Sequence, residues 1–234
     1  MPVSPRAKAR AQTMADILRL GREHLATDGA AALSLRAIAR ELGVVSSAVY
    51  RYVASRDELL TLLVIDAYED LGDAVDAAVD AAAHSDPSDF RAQLAALGLA
   101  VREWALREPA RYGLIFGTPV PGYAAPAERT TQPGTRVVVR LVGILDAAWR
   151  AGFRPNDGGR PVSGKLAEDL ARIRGEGGLA VSGEAIATGV LVWTSLFGAV
   201  TFEVFGQYGP DTFTDPEQLF RRSLDLLADL AGLG

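Results

Sequence analysis

Between Val45 and Arg56 the chain sets hydroxyl, phenol and guanidinium groups close together: Ser46, Ser47, Tyr50, Arg51, Tyr52 and Arg56, with Ser34 and Arg36 shortly upstream. None of these is placed as a nucleophile beside a general base, so their chemistry is recognition rather than catalysis. Guanidinium and hydroxyl groups engage phosphate oxygens, and an arginine can grip the edge of guanine with two parallel hydrogen bonds. Other candidate chemistries are weaker. Gly159 through Lys165 spells Gly-x-x-x-x-Gly-Lys, but Leu166 stands where Ser or Thr would hold magnesium and no strand pattern precedes it, so it reads as a loop. His24 and His84 are far apart and neither pairs with a carboxylate at ligand spacing, no Gly-x-Ser-x-Gly elbow occurs, and there is no cysteine. No catalytic residue, metal site or cofactor is read, and the chain is expected not to be an enzyme.

The elements that must position those side chains are short helices. Leu35, Ile38, Ala39 and Leu42 fall at i, i+3, i+4 and i+7 and form one apolar stripe of about two turns. Ser34 precedes that helix as a cap, Gly43 can end it in the left-handed conformation, and Ala48, Val49 and Tyr52 supply the inner face of a second helix. This is a helix-turn-helix, whose second helix enters the DNA major groove. Val45 cannot cap, so Ser46 or Ser47 is expected to take that role; which of Val45, Ser46 and Ser47 faces the bases stays open. Upstream, Ile17, Leu18, Gly21, Leu25 and Ala26 make a helical stripe that can close a three-helix head. Downstream, Ser55-Arg56-Asp57-Glu58 reads as a capping box opening a longer helix.

Together these stretches resemble the amino-terminal domain of the tetracycline-repressor (TetR) family of bacterial transcription regulators. The match runs over Ile17 to Gly29, Ser34 to Ala39, Leu42-Gly43-Val44, Ala48 to Arg51 and Ser55 to Leu60. It departs at Val45, Tyr52 and Val53, where the family commonly has Ser or Thr, His and Phe. In the remainder, Arg111 to Gly117 and Trp193 with Phe197-Gly198 resemble the WHG-type subgroup, with Phe197 in place of the usual His. The resemblance implies an all-α homodimer: a three-helix head over residues 1–56 binds operator DNA, and a larger helical-bundle domain over 57–234 senses a ligand and dimerises. It further implies a dimer interface of four helices built from Phe202, Phe205, Leu219, Phe220, Leu224 and Leu227.

Within such a head, Arg36, Tyr50, Tyr52 and Arg56 could contact phosphates, although Tyr52 could instead pack inside. Ser34 could serve its helix end alone or also meet a phosphate. Ser46, Ser47 and Arg51 are the candidate base readers, Arg51 being as readily solvated or on a phosphate, and Val45 could meet a thymine methyl. In the body, Trp104, Tyr112, Phe116, Trp149, Trp193 and Phe197 lie on separate helices around a Gly/Pro-rich loop. Each is ordinary core material singly; together they suit a cavity for a small apolar or amphipathic effector.

The formal charge of −5 is unevenly spread. Through residue 60 there are 9 Lys/Arg against 6 Asp/Glu, and 15 against 23 beyond it, a basic end on an acidic body. No apolar core follows the basic residues of Met1 to Arg10, so no secretory signal is read and a cytoplasmic protein is expected. Ala185 to Phe202 is uncharged and long enough to span a membrane. Its threonines, the bracketing Glu184 and Glu203 and the lack of basic anchors instead favour a helix buried on one side by its own domain and on the other by a partner.

Helices are expected at about 57–83, from Ser88 or Asp89 with Phe90, Leu94, Leu97, Val101 and Trp104 inward, from Pro109, at 135–152, 165–174, 183–208 and 215–233. The segment from Gly117 to about Gly134 is expected to be loop. The reading is a dimeric transcriptional regulator, a repressor released from a near-palindromic operator by its effector. Its rivals are a constitutive dimeric DNA-binding protein without an effector, and an α-helical small-molecule-binding protein or enzyme with a vestigial head.

Overall fold

The computed structural model describes residues 4–234, so Met1–Val3 of the basic amino-terminal stretch lie outside the described residues. Among the described residues there are eleven α-helices, one short 3-10 turn and no strand. The all-α expectation holds.

Most helix starts have a visible chemical cause. α1 (Pro5–Asp28) opens with Ser4 Oγ accepting from the Ala7 N–H at 3.2 Å and proline in its first position. α2 (Leu35–Glu41) is capped by Ser34, whose Oγ accepts from Ala37 N–H at 3.4 Å. Gly43, at φ +69°, supplies the left-handed turn into α3 (Ser46–Tyr50). α4 (Arg56–Ser85) begins with Ser55 Oγ accepting from Glu58 N–H at 3.1 Å. α5 (Phe90–Arg107), α6 (Pro109–Phe116), α7 (Ala127–Gly134), α8 (Arg136–Arg150) and α9 (Gly164–Gly177) follow. α10 (Gly183–Val204) and α11 (Pro216–Leu230) are capped by Ser182 and Asp215.

α7 corrects the expectation of a loop through Gly134. Its prolines stand at the ends: the Pro126 carbonyl accepts from Arg129 and Thr130 N–H groups at the start, and Pro133 falls in the last turn. Proline breaks a helix from its middle, so this pair brackets one instead.

The chain forms two compact units. The first contains the chain through Asp70 together with Glu108–Gly134; the second contains Leu71–Arg107 with Thr135–Gly234. The first unit extends past the division expected at residue 56, because α4 buries Leu59, Leu60 and Leu63 in the same core as Ile17, Leu20, Leu35, Ile38, Val49 and Val53. Leu114, Val120 and Tyr123 pack against that core as well. Arg111, buried, joins Asp66 at 2.9 Å and Asp70 at 2.6 Å and fastens α6 to α4 within this unit.

In the second unit, Phe90, Leu94, Leu97, Val101 and Trp104 are buried along α5, as their spacing predicts. α5 approaches α11 at Gly98: a Cβ there would fall inside the van der Waals envelope of Leu224 Cδ2 and lie 3.1 Å from its Cδ1. Arg102 joins Glu203 on α10 at 2.6 Å and Glu217 on α11 at 3.4 Å.

The Gly98 contact predicts a reversal of sign. Alanine gains roughly 1 kcal/mol over glycine in a helix interior, whereas overpacking a buried site costs about 1–3 kcal/mol. Gly98→Ala is therefore expected to be neutral to destabilising by up to about 2 kcal/mol alone, and stabilising in a Leu224→Ala background, as read by urea unfolding of the four members of the cycle.

Candidate nucleic-acid interface and apolar cavity

α3 is five residues long and has no side-chain cap; Val45 occupies the cap position with extended backbone. Neither Ser46 nor Ser47 caps, which corrects that expectation and settles where the helix starts. Val49 is its buried anchor. The opposite side is open: Ser47, Tyr50 and Arg51 are exposed, Ser46 is half-buried and Val45 is 72% exposed. Arg36 on α2 is exposed too. These groups lie on adjacent short elements, and their side chains make no hydrogen bond or ion pair to protein among the described residues.

Two expected contacts are placed differently. Arg56 turns back into the head, where one guanidinium nitrogen donates to the carbonyls of Ala30 at 2.8 Å and Ala31 at 3.2 Å. That nitrogen braces the 3-10 turn, a second lies 3.5 Å from Asp57 Oδ1, and Nε is buried without a partner among the described residues, so the guanidinium is directed largely into the head. Tyr52 packs against the head core with Arg10 over its ring, 5.3 Å from the centroid, the interior alternative considered above.

The carboxylates of this unit are mostly neutralised. Glu23 pairs with Arg19 at 2.9 Å, Glu41 bonds His24 at 2.8 Å, Asp66 pairs with Arg22 at 2.9 Å, and Glu58 holds Arg129 on α7 at 2.7 Å. Arg6, Lys8, Arg10, Arg36, Arg40 and Arg51 are exposed and make no ion pair among the described residues. The unit as a whole holds 11 Lys/Arg and 11 Asp/Glu, so what suits phosphate contact is not its net charge but these exposed, unpaired cations on α1, α2 and just past α3.

The second unit holds a cavity of about 100 Å³ between α8, α9 and α10. Val138, Leu141, Val142 and Leu145 of α8 form one wall, Ile186, Val190 and Trp193 of α10 another, and Ile173 of α9 with Leu179 and Val181 a third. Of the six aromatics expected around a ligand, only Trp193 lines it. Phe197 stacks on Trp193 with centroids 4.2 Å apart, one step behind the wall. Trp104 is core of this unit, Trp149 sits under Arg154 beside a much smaller void, and Tyr112 and Phe116 belong to the first unit, in contact with each other. Aromatic content therefore does not mark this cavity; the spacing of Val138, Leu141, Val142 and Leu145 along one side of α8 is the signal for its wall.

Asp146 closes this region. Its Oδ1 accepts from the Ala180 and Val181 N–H groups at 2.6 and 3.0 Å, tying the α9–α10 connection to α8, while Oδ2 takes the Arg150 guanidinium at 2.9 Å. Burial works to raise this carboxyl, but the bonds from Arg150, Val181 and Ala180 outweigh it and hold it below the usual carboxylate range.

Residues 17–63 match the model for bacterial regulatory proteins of the tetR family, and residues 94–227 match the tetracyclin repressor-like C-terminal domain. The chain belongs to the TetR family. It is a DNA-binding, helix-turn-helix regulator of transcription. The HTH-type transcriptional regulator Rv1816 of Mycobacterium tuberculosis is 47% identical over 226 residues, covering 96% of this chain and 94% of the relative. The solved structure of SCO4313 is 36% identical with a TM-score of 0.76, over 96% of this chain and 98% of that one. A tetR-family regulatory protein from Rhodococcus RHA1, 19% identical over 93% of this chain and 96% of that one, shares the fold at a TM-score of 0.60.

For a TetR-family chain the outward faces of the last two helices matter. Phe202 and Phe205 are exposed and Leu219 and Leu227 half-buried. Phe220 and Leu224 correct the expected dimer set: they are 2% and 3% exposed inside the subunit itself, Leu224 against Gly98 and Phe220 under Arg102. Val190, Leu191 and Leu226 are exposed as well. α10 is long and apolar enough to cross a membrane, yet it buries Ala185, Thr188, Val192, Leu196, Phe197 and Val200 within its own unit.

The Asp146 geometry gives a pH prediction. A depressed carboxylate contributes stability that is present above the unfolded value of about 4 and is lost as pH falls through the folded value. Asp146→Asn is therefore expected to destabilise by about 1–3 kcal/mol at pH 7. That gap should narrow in urea titrations carried below pH 4; a gap that widens there would contradict the assignment.

Proposed function

We propose that this chain is a dimeric transcriptional repressor of the cytoplasm that leaves a near-palindromic operator when a small apolar molecule enters the second unit. The observation that carries the reading is the open polar side of α3, with Ser47, Tyr50 and Arg51 exposed above a buried Val49. Ser46, Ser47 and Arg51 are assigned to base edges, Val45 to a thymine methyl, and Arg36, Tyr50 and the Ser34 end of α2 to phosphates. A second copy covers Val190, Leu191, Phe202, Phe205 and Leu226, an apolar face whose exposure a solitary subunit does not explain. Two heads then read successive major grooves about 34–36 Å apart.

The effector site is assigned to the cavity of α8, α9 and α10. Its walls carry no ionisable group, so shape and apolar area select the ligand. At about 100 Å³ it fits a group smaller than a benzene-sized guest, and a longer molecule has to displace a wall. α9 is the wall that yields, because Leu170 is its one buried residue. The effector weakens DNA binding only through its different affinity for the two conformers of the regulator.

Genomic DNA retained by the purified protein supplies the operator for two tests. Arg51→Ala is expected to lower operator affinity about 10- to 100-fold and to relax preference at one position of each half-site, while Arg36→Ala weakens all sequences evenly. A homologous series of aliphatic alcohols added to the complex is expected to release the DNA for some chain lengths. Val142→Trp, which fills the cavity, should keep the affinity and abolish the release. Operator affinity indifferent to every member of the series would establish a constitutive DNA-binding protein instead.

A further inference from the structure

The first two turns of α1 extend past the head core. Every residue from Ser4 to Gln12 is exposed, whereas Met14, Ile17, Leu20, Gly21 and Leu25 pack α1 against the head. Arg6 and Arg10 stand one turn apart, and Arg10 stands one turn before Met14, so both continue the very face that packs on the head. Lys8 falls on the opposite side. Beyond the core that face has no apolar surface to cover, and it carries guanidinium groups instead. Arg10 shows where it points: its guanidinium lies over the ring of Tyr52, two residues past the end of α3. No carboxylate occurs in the chain before Asp16, and neither arginine makes an ion pair among the described residues.

We propose that Arg6 and Arg10 form a second DNA site, a phosphate clamp outside the helix-turn-helix, holding the sugar-phosphate backbone that flanks the groove occupied by α3. The proposal rests on the DNA-binding reading of α3 and adds to it two contacts that carry no base information. Tyr52 sets the angle of Arg10 by cation–π contact and leaves the outer edge of the guanidinium free for phosphate oxygens. Lys8, on the far side of α1, faces away from the duplex and serves as the internal control.

The test is the salt dependence of binding by the full-length protein, measured by fluorescence anisotropy on its retained operator and on an unrelated duplex. Each lost phosphate contact lowers the slope of log K against log salt by about 0.9. The double variant R6Q/R10Q is expected to flatten the slope by about 2. Between 50 and 200 mM salt it should lose roughly tenfold less affinity than the parent, on both duplexes alike. R6K/R10K should restore the slope and K8Q should leave it unchanged. An unchanged slope in R6Q/R10Q, or an equal effect of K8Q, would overturn the clamp while leaving α3 as the reader. A loss confined to the operator would assign the arginines to bases and overturn it too. A parent protein with no salt-dependent affinity for any duplex would remove the DNA reading itself.

Discussion

A helix of five residues does not hold its shape in water, since nucleation costs more than one turn of hydrogen bonds returns. α3 has the further handicap that no side chain caps it. It exists because Val49 is buried and because Val53, just beyond it, lies in the same core as Ile38 and Leu59. The surface proposed to read DNA is thus the outer side of an element stabilised wholly from its inner side. This constraint explains why so much of the first unit is devoted to that one small core, and why the groups on the outside can be chosen for DNA alone.

The same constraint explains the size of the unit. The start of α4 is fixed from three directions: Ser55 caps it, Arg56 reaches across to the 3-10 turn, and Glu58 takes the two-pronged bond from Arg129 on α7. Thr61, buried, shares a hydrogen bond with the Tyr123 hydroxyl at 3.0 Å. The segment Glu108–Gly134, distant in sequence, therefore serves as scaffolding for the DNA-binding motif. A gap of about fifty residues separates it from the motif, and nothing in local pattern announces such a link.

What was legible in the amino-acid sequence divides along that line of range. The α5 stripe from Phe90 to Trp104 and the capping serines Ser34 and Ser55 were readable, because helical spacing and caps depend on residues three or four apart. Phe220 and Leu224 were not. On an amphipathic helix such as α11 the spacing marks an apolar side, but whether that side meets its own chain or another depends on what stands opposite, here Gly98 and Arg102. The bonds from Arg56 to the 3-10 turn were not readable for the same reason, the acceptors lying some 25 residues away. The aromatic rings do not mark the cavity of the second unit, because a void is defined by the gap between walls, and aliphatic side chains make most of these.

Charge follows a different logic from packing. In the first unit several acids are engaged by basic side chains, as Glu23 by Arg19, Asp66 by Arg22 and Glu58 by Arg129, while Arg6, Arg10, Arg36, Arg40 and Arg51 on α1, α2 and just past α3 make no ion pair among the described residues. The second unit differs in balance, with 13 Lys/Arg against 18 Asp/Glu: Arg136 meets Asp73 and Asp76, Arg140 meets Asp80, Arg91 meets Asp229, and a surplus of carboxylates remains. A net charge of −5 is then no obstacle to binding a polyanion, because field strength at a surface falls within about a Debye length, near 10 Å at ordinary salt. The duplex senses the local sign of the surface it touches, and that sign is set by which partner each arginine has already found.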